Sequence, residues 1–352
     1  MIKLKRISIY QLIIIVLFLN LGFTQEKDKS IDGYVFDKST GDPIENVNVY
    51  IANTTWGSST DKDGYFFIRL IPHGTHELVV NCIGYEYVTN KIILKDGTGL
   101  NLNFSLSPVI YETETTRVEG SIPTEWLKDL EFFKVYFLGR TDFAEDCIIE
   151  NSEVLNFARP YDSIFEASAM KPLVITNRAL GYKIDCILIS FIFDKSSNTN
   201  SWSVKPKFTE LIPKDNEELT EWIENRFEAF EGSRYHFLRS FCMKRLPEEG
   251  FDIYKVALPG QRVRRADWHP VLVDYDDYIE NGINSKDSIL RFEKFLYVVY
   301  KENYVSWIGL ISTNITLDEF GYSYEEIPYK VFGEWAKHGI GNLLPKNFKS
   351  KN

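Results

Sequence analysis

Val47-Asn48-Val49-Tyr50-Ile51 and Leu100-Asn101-Leu102-Asn103-Phe104-Ser105-Leu106 alternate side chains with a period of two. Successive side chains of a pleated strand point to opposite faces, so this alternation predicts half-buried strands. Turn-forming clusters punctuate residues 29–108: Ser39-Thr40-Gly41-Asp42-Pro43, Asp61-Lys62-Asp63-Gly64, Pro72-His73-Gly74 and Asp96-Gly97. Their spacing predicts six or seven short strands. Two facing sheets hide both apolar faces, which makes a β-sandwich the expected arrangement.

Upstream, Lys3, Lys5 and Arg6 precede the unbroken apolar run Leu12 to Leu19, and Gly22-Phe23-Thr24 leads into the polar Gln25-Glu26-Lys27-Asp28. This three-part pattern predicts a signal peptide over residues 1–24, cleaved after Thr24. The competing reading is an uncleaved membrane anchor, for which the run is short against the roughly 20 apolar residues of a span. The 352 residues include 50 acidic and 40 basic side chains, a net charge of -10, and cleavage would remove three of the positive ones. An anionic surface repels phosphate, so nucleic acid is not expected as a partner. A hydrophobic content of 44% is far above that of a disordered tail.

Downstream, residues 109–122 lose the strand-turn rhythm and read as a linker ending at Pro123. Trp126, Leu127, Leu130, Phe133 and Phe137 then recur at helical spacing. Tyr182 to Phe193 is apolar on both alternating faces, which predicts a central strand of a sheet covered by helices. Asp215 with Glu218 forms an expected capping box for a helix carrying Leu219, Trp222, Ile223, Arg226, Phe227 and Phe230, and Gly232-Ser233 ends it and caps the next. With strand-like patterns over Phe292 to Tyr300 and Val305 to Thr316, residues 123–352 read as one α+β domain.

Cys82, Cys147, Cys186 and Cys242 sit in apolar contexts and are expected as buried free thiols, although an oxidising compartment would allow three pairings. No C-x-x-C or H-x-x-E occurs, so neither a zinc or redox site nor a zinc peptidase is expected, and no cofactor, metal or catalytic residue is assigned. His73 and His76 read as turn and surface residues. Asp61, Asp63 and Gly64 imitate a calcium loop, but Leu70 stands where a bidentate Glu is required, so Gly64 and a self-bonding Asp63 are read as a hairpin turn. Asn53-Thr54-Thr55 fits an N-glycosylation tripeptide that arises readily by chance.

Arg234, His236 and Arg239, beside Ser233 and Cys242, form the best chemical constellation, because a capped helix start and two guanidinium forks suit an anion. The competing reading pairs them with Glu228, Glu231, Glu248 and Glu249. A Cys242 nucleophile with a His236 base is disfavoured, since residues six apart on a helix point in different directions. The basic stretch Gly260 to Arg265 reads as a solvated loop or a contact for acidic glycan or lipid headgroups.

Ile31-Asp32-Gly33-Tyr34-Val35, Thr40-Gly41-Asp42-Pro43-Ile44, Val47-Asn48-Val49, Ser59 to Phe66, Pro72-His73-Gly74 and Ile83-Gly84-Tyr85 together resemble the carboxypeptidase regulatory-like domain, a transthyretin (prealbumin)-like Greek-key sandwich. That resemblance implies an accessory module without peptidase activity. Phe132-Phe133-Lys134, Ala179-Leu180-Gly181-Tyr182-Lys183-Ile184, Gly232 to Arg239, Gly333-Glu334-Trp335 and Leu343-Leu344-Pro345 extend the likeness to carboxypeptidase-like regulatory domain-containing proteins of Gram-negative, Bacteroidota-type envelopes. The resemblance supplies an architecture and no catalytic residue, and the leading expectation is an exported, non-enzymatic binding or structural protein of the periplasm or outer cell surface. Its expected partners are envelope proteins, peptide or glycan, with membrane association open. The alternative is an envelope hydrolase acting on peptide or glycan, with its site in the later domain.

Overall fold

The computed structural model describes residues 30–95, 97–109, 123–260, 275–282, 284 and 286–349. The expected signal peptide, nearly all of the linker and the basic residues 261–265 lie outside these.

The first part is a sandwich of β1 (Ile31–Asp37), β2 (Asn48–Ile51), β3 (Gly57–Ser59), β4 (Tyr65–Ile68), β5 (Gly74–Asn81), β6 (Val88–Leu94), β7 (Leu100–Asn101) and β8 (Phe104–Leu106). One sheet runs β4-β1-β7 with β8 also on β1, and the other β3-β2-β5-β6. Val35, Val49, Phe66, Leu78 and Leu106 fill the space between them. β7 and β8 both run parallel to β1 and are two halves of one line, so the single alternating run from Leu100 to Leu106 is broken in its middle. Asn103 causes the break: its side-chain oxygen accepts from the Tyr34 N–H at 3.0 Å. At the same place Gly33 is required, because a Cβ there would stand 1.8 Å from the Leu102 carbonyl oxygen.

The turn before β4 uses Gly64 at φ +74° as expected. Its local bonds come from Asp61, not from Asp63. The Asp61 carboxylate opens the turn and accepts from the N–H groups of Asp63 and Tyr65, each at 2.9 Å.

A six-stranded sheet follows, made of β9 (Cys147–Ile149), β10 (Leu155–Tyr161), β11 (Ile164–Ala169), β12 (Leu173–Asn177), β13 (Tyr182–Asp194) and β14 (Thr199–Glu210). β13 is central, pairing with β12 along its first half, with β11 along its second, and with β14 on the opposite side. Helix α1 (Thr124–Phe137) covers one face, where Leu130, Phe133 and Phe137 meet Phe165 and Phe191. Asp129, on the same helix, is buried and takes a two-pronged bond from Arg159. The other face departs from expectation. It is covered by the sandwich, with Ile187 and Ile189 against Tyr50, Ala52 and Val79. The reason is that β2 and β5 bury successive residues and so are apolar on their outer faces too.

Backbone bonds fasten this seam. The Asn53 N–H donates to the Pro206 carbonyl (2.8 Å), Phe208 to Thr54 (3.0 Å) and Lys346 to Asn53 (2.7 Å). The tripeptide Asn53-Thr54-Thr55 is thus part of an internal joint, with Thr54 fully buried.

Three further helices are α2 (Asp142–Glu145), α3 (Asn216–Phe230) and α4 (Arg234–Cys242). Asp215 caps α3 through the Glu218 N–H (2.9 Å), but the Glu218 carboxylate returns to the Lys214 N–H instead of closing the box on Asp215. The buried stripe of α3 is also rotated from the expected one: Trp222, Arg226 and Ala229 are buried while Leu219 and Ile223 are exposed. Trp222 sets the rotation by seating against Gly181, where a Cβ would lie 2.3 Å from the indole. Arg226 then lies over the Tyr182 ring and donates to the Leu180 carbonyl at 2.8 Å.

The chain ends in β15 (Phe251–Val256), β16 (Ile279–Asn281), β17 (Ser288–Leu290), β18 (Phe295–Tyr300), β19 (Tyr304–Leu310), β20 (Ile315–Leu317) and β21 (Tyr329–Gly333). They form sheets of order β15-β18-β19-β21 and β16-β17-β20. Phe237, Leu238 and Phe241 of α4 pack here with Ile253, Leu296, Ile308 and Trp335. Residues beyond Pro123 therefore surround two main hydrophobic cores, the first of which Ile340, Leu343 and Leu344 rejoin, and a smaller third one of Tyr254, Tyr297 and Trp307.

All four cysteines are unpaired. Burial pushes the Cys147 and Cys242 thiols up to about 12, and raises Cys186, which is fully buried, further still. Thiol alkylation of the native protein should therefore leave Cys147 and Cys186 unlabelled until denaturant is added, as read by peptide mass mapping. Phe133→Ala should lower stability by about 3–5 kcal/mol in urea unfolding. A loss below roughly 1 kcal/mol would show that α1 does not anchor the sheet.

Candidate functional site

A cleft of about 450 Å³ opens where the three parts meet. Asn53, Glu77 and Lys91 of the sandwich line it, together with residues 199–205 of β14 and residues 322–332. β14 pairs with β13 on one side only, and its other edge is fastened to the sandwich from Pro206 onward. β21 pairs only with β19 and also lines the cleft. Two strand edges with no further strand partner among the described residues therefore border one cavity.

Two of the lysines lining the cleft are ion-paired, and Asp194, Glu325, Glu326 and Lys330 also line it. Lys205 bonds Glu77 at 2.6 Å, and Lys346 bonds Asp318 at 2.7 Å. Lys91 instead rests over the Tyr324 ring at 3.8 Å. Arg234 lines the cleft with 8% of its surface exposed. Its guanidinium lies over the rings of Tyr235 (4.8 Å) and Trp202 (5.5 Å) and donates to the Tyr235 hydroxyl at 3.3 Å. Among the described residues no carboxylate pairs with it. Burial opposes its charge, but the oxygens of Tyr235, Tyr329 and Tyr322 outweigh that penalty and hold its pKa above the ordinary arginine value.

The three residues singled out as an anion site do not converge. At about 100° per residue, positions 236 and 239 share a helix face while 234 faces away from both. His236 and Arg239 look into a separate hollow of about 260 Å³ with Phe230, Glu231 and Glu249. His236 Nδ1 accepts the Gly232 N–H at 3.1 Å, which leaves Nε2 to donate to Glu249 at 3.3 Å. Both ring nitrogens are thus engaged in securing the start of α4, where Ser233 accepts the His236 N–H at 3.1 Å. Arg239 lies 6.0 Å from the Phe230 ring centre. Of the expected carboxylate partners, Glu231 bonds Lys301 (2.7 Å) and Glu249 also takes Arg245 (3.0 Å).

His76 is not a surface residue: it is buried, bonds the Pro72 carbonyl oxygen at 2.8 Å and meets Trp56 edge-on. Strand β5 carries it inward beside the seam. Trp202, Tyr235, Tyr329 and Lys91 line the cleft without having been singled out from the sequence. The aromatic set between serines in Ser201-Trp202-Ser203 was the one local hint of a side chain serving a polar site.

Burial lowers the pKa of His76 and His236, and lowers that of His338 to about 4 with help from the charges of Arg234 and Lys337. The unfolded chain takes up these protons near pH 6.5. Stability carried by the neutral rings is therefore complete above pH 6.5 and is lost as pH falls toward the folded values. The urea midpoint should drop from pH 7 to 5, with His338 contributing on the order of 2 kcal/mol between pH 6.5 and 5. His338→Gln should flatten that drop, and an unchanged slope would contradict the assignment.

Comparison with known proteins bears on the sandwich. The family model of the CarboxypepD_reg-like domain matches residues 31–118. Carboxypeptidase D of Anas platyrhynchos is 30% identical over 103 residues, covering 29% of this chain and 7% of that protein. Carboxypeptidase D of Homo sapiens is 32% identical over 81 residues, covering 23% of this chain and 6% of its own length. The match thus spans only a small share of these relatives. Among solved structures, the pilus 2b backbone protein of group B streptococcus aligns with a TM-score of 0.20 at 20% identity, over 23% of this chain and 41% of that one. The stretch that matches the CarboxypepD_reg-like model contains the β-sandwich of β1 to β8, which forms one wall of the three-part cleft.

Proposed function

We propose that the chain is an exported, non-enzymatic binding protein of the bacterial envelope, in the periplasm or on the outer surface, whose ligand sits in the cleft beside β14. The observation that carries this reading is a cavity of about 450 Å³ walled jointly by the sandwich, the six-stranded sheet and the last part of the chain. Ligand sites favour such junctions, where convergent polar groups stand among aromatic walls. The sandwich acts as an accessory wall. Export is supported by the charge and hydropathy pattern of residues 1–24.

A hydrolase reading draws on the hollow that gathers His236, Arg239 and Glu249. Against it, both His236 nitrogens are engaged, and the Cys242 thiol, held at about 12, bonds Ser288 outside this hollow, so neither a free base nor a ready nucleophile stands there.

Incubation of the purified chain with a panel of envelope peptides and glycans, read by mass spectrometry, separates the two. Retained ligand without product is expected, with retention falling at least about tenfold in Ser201→Trp, which fills the cleft. Product formation abolished by His236→Ala would overturn the binding reading.

A further inference from the structure

Taking the cleft as the ligand seat, we infer that its occupant is an extended peptide segment that adds as a strand to the open edge of β14 and sets a carboxylate on Arg234. The inference rests on the proposed binding function and narrows its ligand to one class.

The first support is the edge itself. In an antiparallel pair, alternate residues turn both backbone polar groups away from the partner strand. Pro206 accepts from Asn53 and Phe208 donates to Thr54, so the even-numbered residues of β14 face outward. The same alternation carried back along the strand turns the backbone groups of Asn200, Trp202 and Val204 toward the cleft, beyond the point where the sandwich stops covering the edge. A row of this kind is a template for another strand. β21 pairs with β19 alone among the described residues and lines the same cavity.

The second support is charge. A buried cation without an anionic partner is costly, and a guanidinium fork matches a carboxylate with two parallel bonds. Arg234 is nearly buried, lines this cleft, and is surrounded by rings and by the hydroxyls of Tyr235 and Tyr329, with no carboxylate paired to it among the described residues. Lys91, also at the cleft, likewise rests on a ring. An incoming carboxylate supplies the missing partner.

The same rings argue for peptide over glycan. A sugar needs a free aromatic face, yet Arg234 lies over Trp202 and over Tyr235, and Tyr235 also stacks on Tyr322 at 4.1 Å and 16°. The backbone of β14 and the guanidinium are the groups that a peptide engages there, and Glu325, Glu326 and Lys330 also line the cleft.

The test uses a pool of fluorescein-labelled six-residue peptides rich in Thr and Val, each prepared in three forms: ending in Glu with a free carboxylate, ending in Gln amide, and N-methylated at alternate residues. Binding to the purified chain is read by anisotropy, beside a neutral and an acidic oligosaccharide. The acidic peptides should bind, the amides roughly 10- to 100-fold more weakly, and the N-methylated forms not measurably. Arg234→Met should erase the preference for acid over amide, and Arg234→Lys should keep part of it. Because the N-methylated peptides need no variant, a poorly folding substitution leaves the test intact. Peptide binding indifferent to the carboxylate, or to N-methylation, overturns the inference. Retention of an oligosaccharide in a cleft that Ser201→Trp blocks, with no peptide bound, overturns it while leaving the binding function standing. Ligand retention unaffected by Ser201→Trp sinks the cleft as the seat and the proposed function with it.

Discussion

The outer face of the sandwich sheet, packed on the far side of β13, holds the rest of the molecule in place. Tyr50, Ala52 and Val79 meet Ile187 and Ile189 there, a modest apolar patch worth a few kcal/mol at the usual yield per buried area. Apolar contact alone does not fix orientation. Direction comes from the short backbone bonds of Asn53 and Thr54 to β14 and to Lys346, and from the Tyr50 hydroxyl donating to the Lys205 carbonyl at 2.9 Å. The Lys205–Glu77 pair, largely withdrawn from water, adds register more than strength, since desolvation offsets much of its attraction. Without this seam the cleft would lack one wall.

The start of α4 shows how one turn of helix creates two different environments. Gly232 at φ +69° lets the chain leave α3, and Ser233 caps the new helix. From that point Arg234 is carried toward aromatic rings and the cleft, while His236 is carried toward Glu249 and the hollow behind. The two face opposite ways because they are two residues apart on a period of 3.6. The cation on one side is left to rings and hydroxyls, whereas the imidazole on the other is spent on capping and an acid partner.

Much of the fold was legible locally. The strand positions of β2 and β19, the helical stripe of α1 ending at Phe137 with the exposed Leu127 excepted, the capping residue Asp215 and the positive φ of Gly64 all follow from short-range rules. Leu78-Val79-Val80, buried on both faces, was not singled out from the sequence as the contact for a second partner. The division of residues beyond Pro123 between two cores was also hidden. Strands of both sheets carry the same alternation, and which sheet a strand joins is decided by pairing across long sequence separations.

The sequence by itself determined the sandwich, its turns, the three longer helices and the central, doubly buried character of β13, because these depend on residues within a few positions of one another. The tertiary structure alone decided that the sandwich, and not a helix, covers the second face of that sheet. It also decided that Arg234, which helical spacing already turns away from His236 and Arg239, joins Trp202, Tyr322 and Tyr329. Those residues lie tens of positions apart, and no spacing rule links them. Only packing brings a cation, two strand edges and a domain seam to one place.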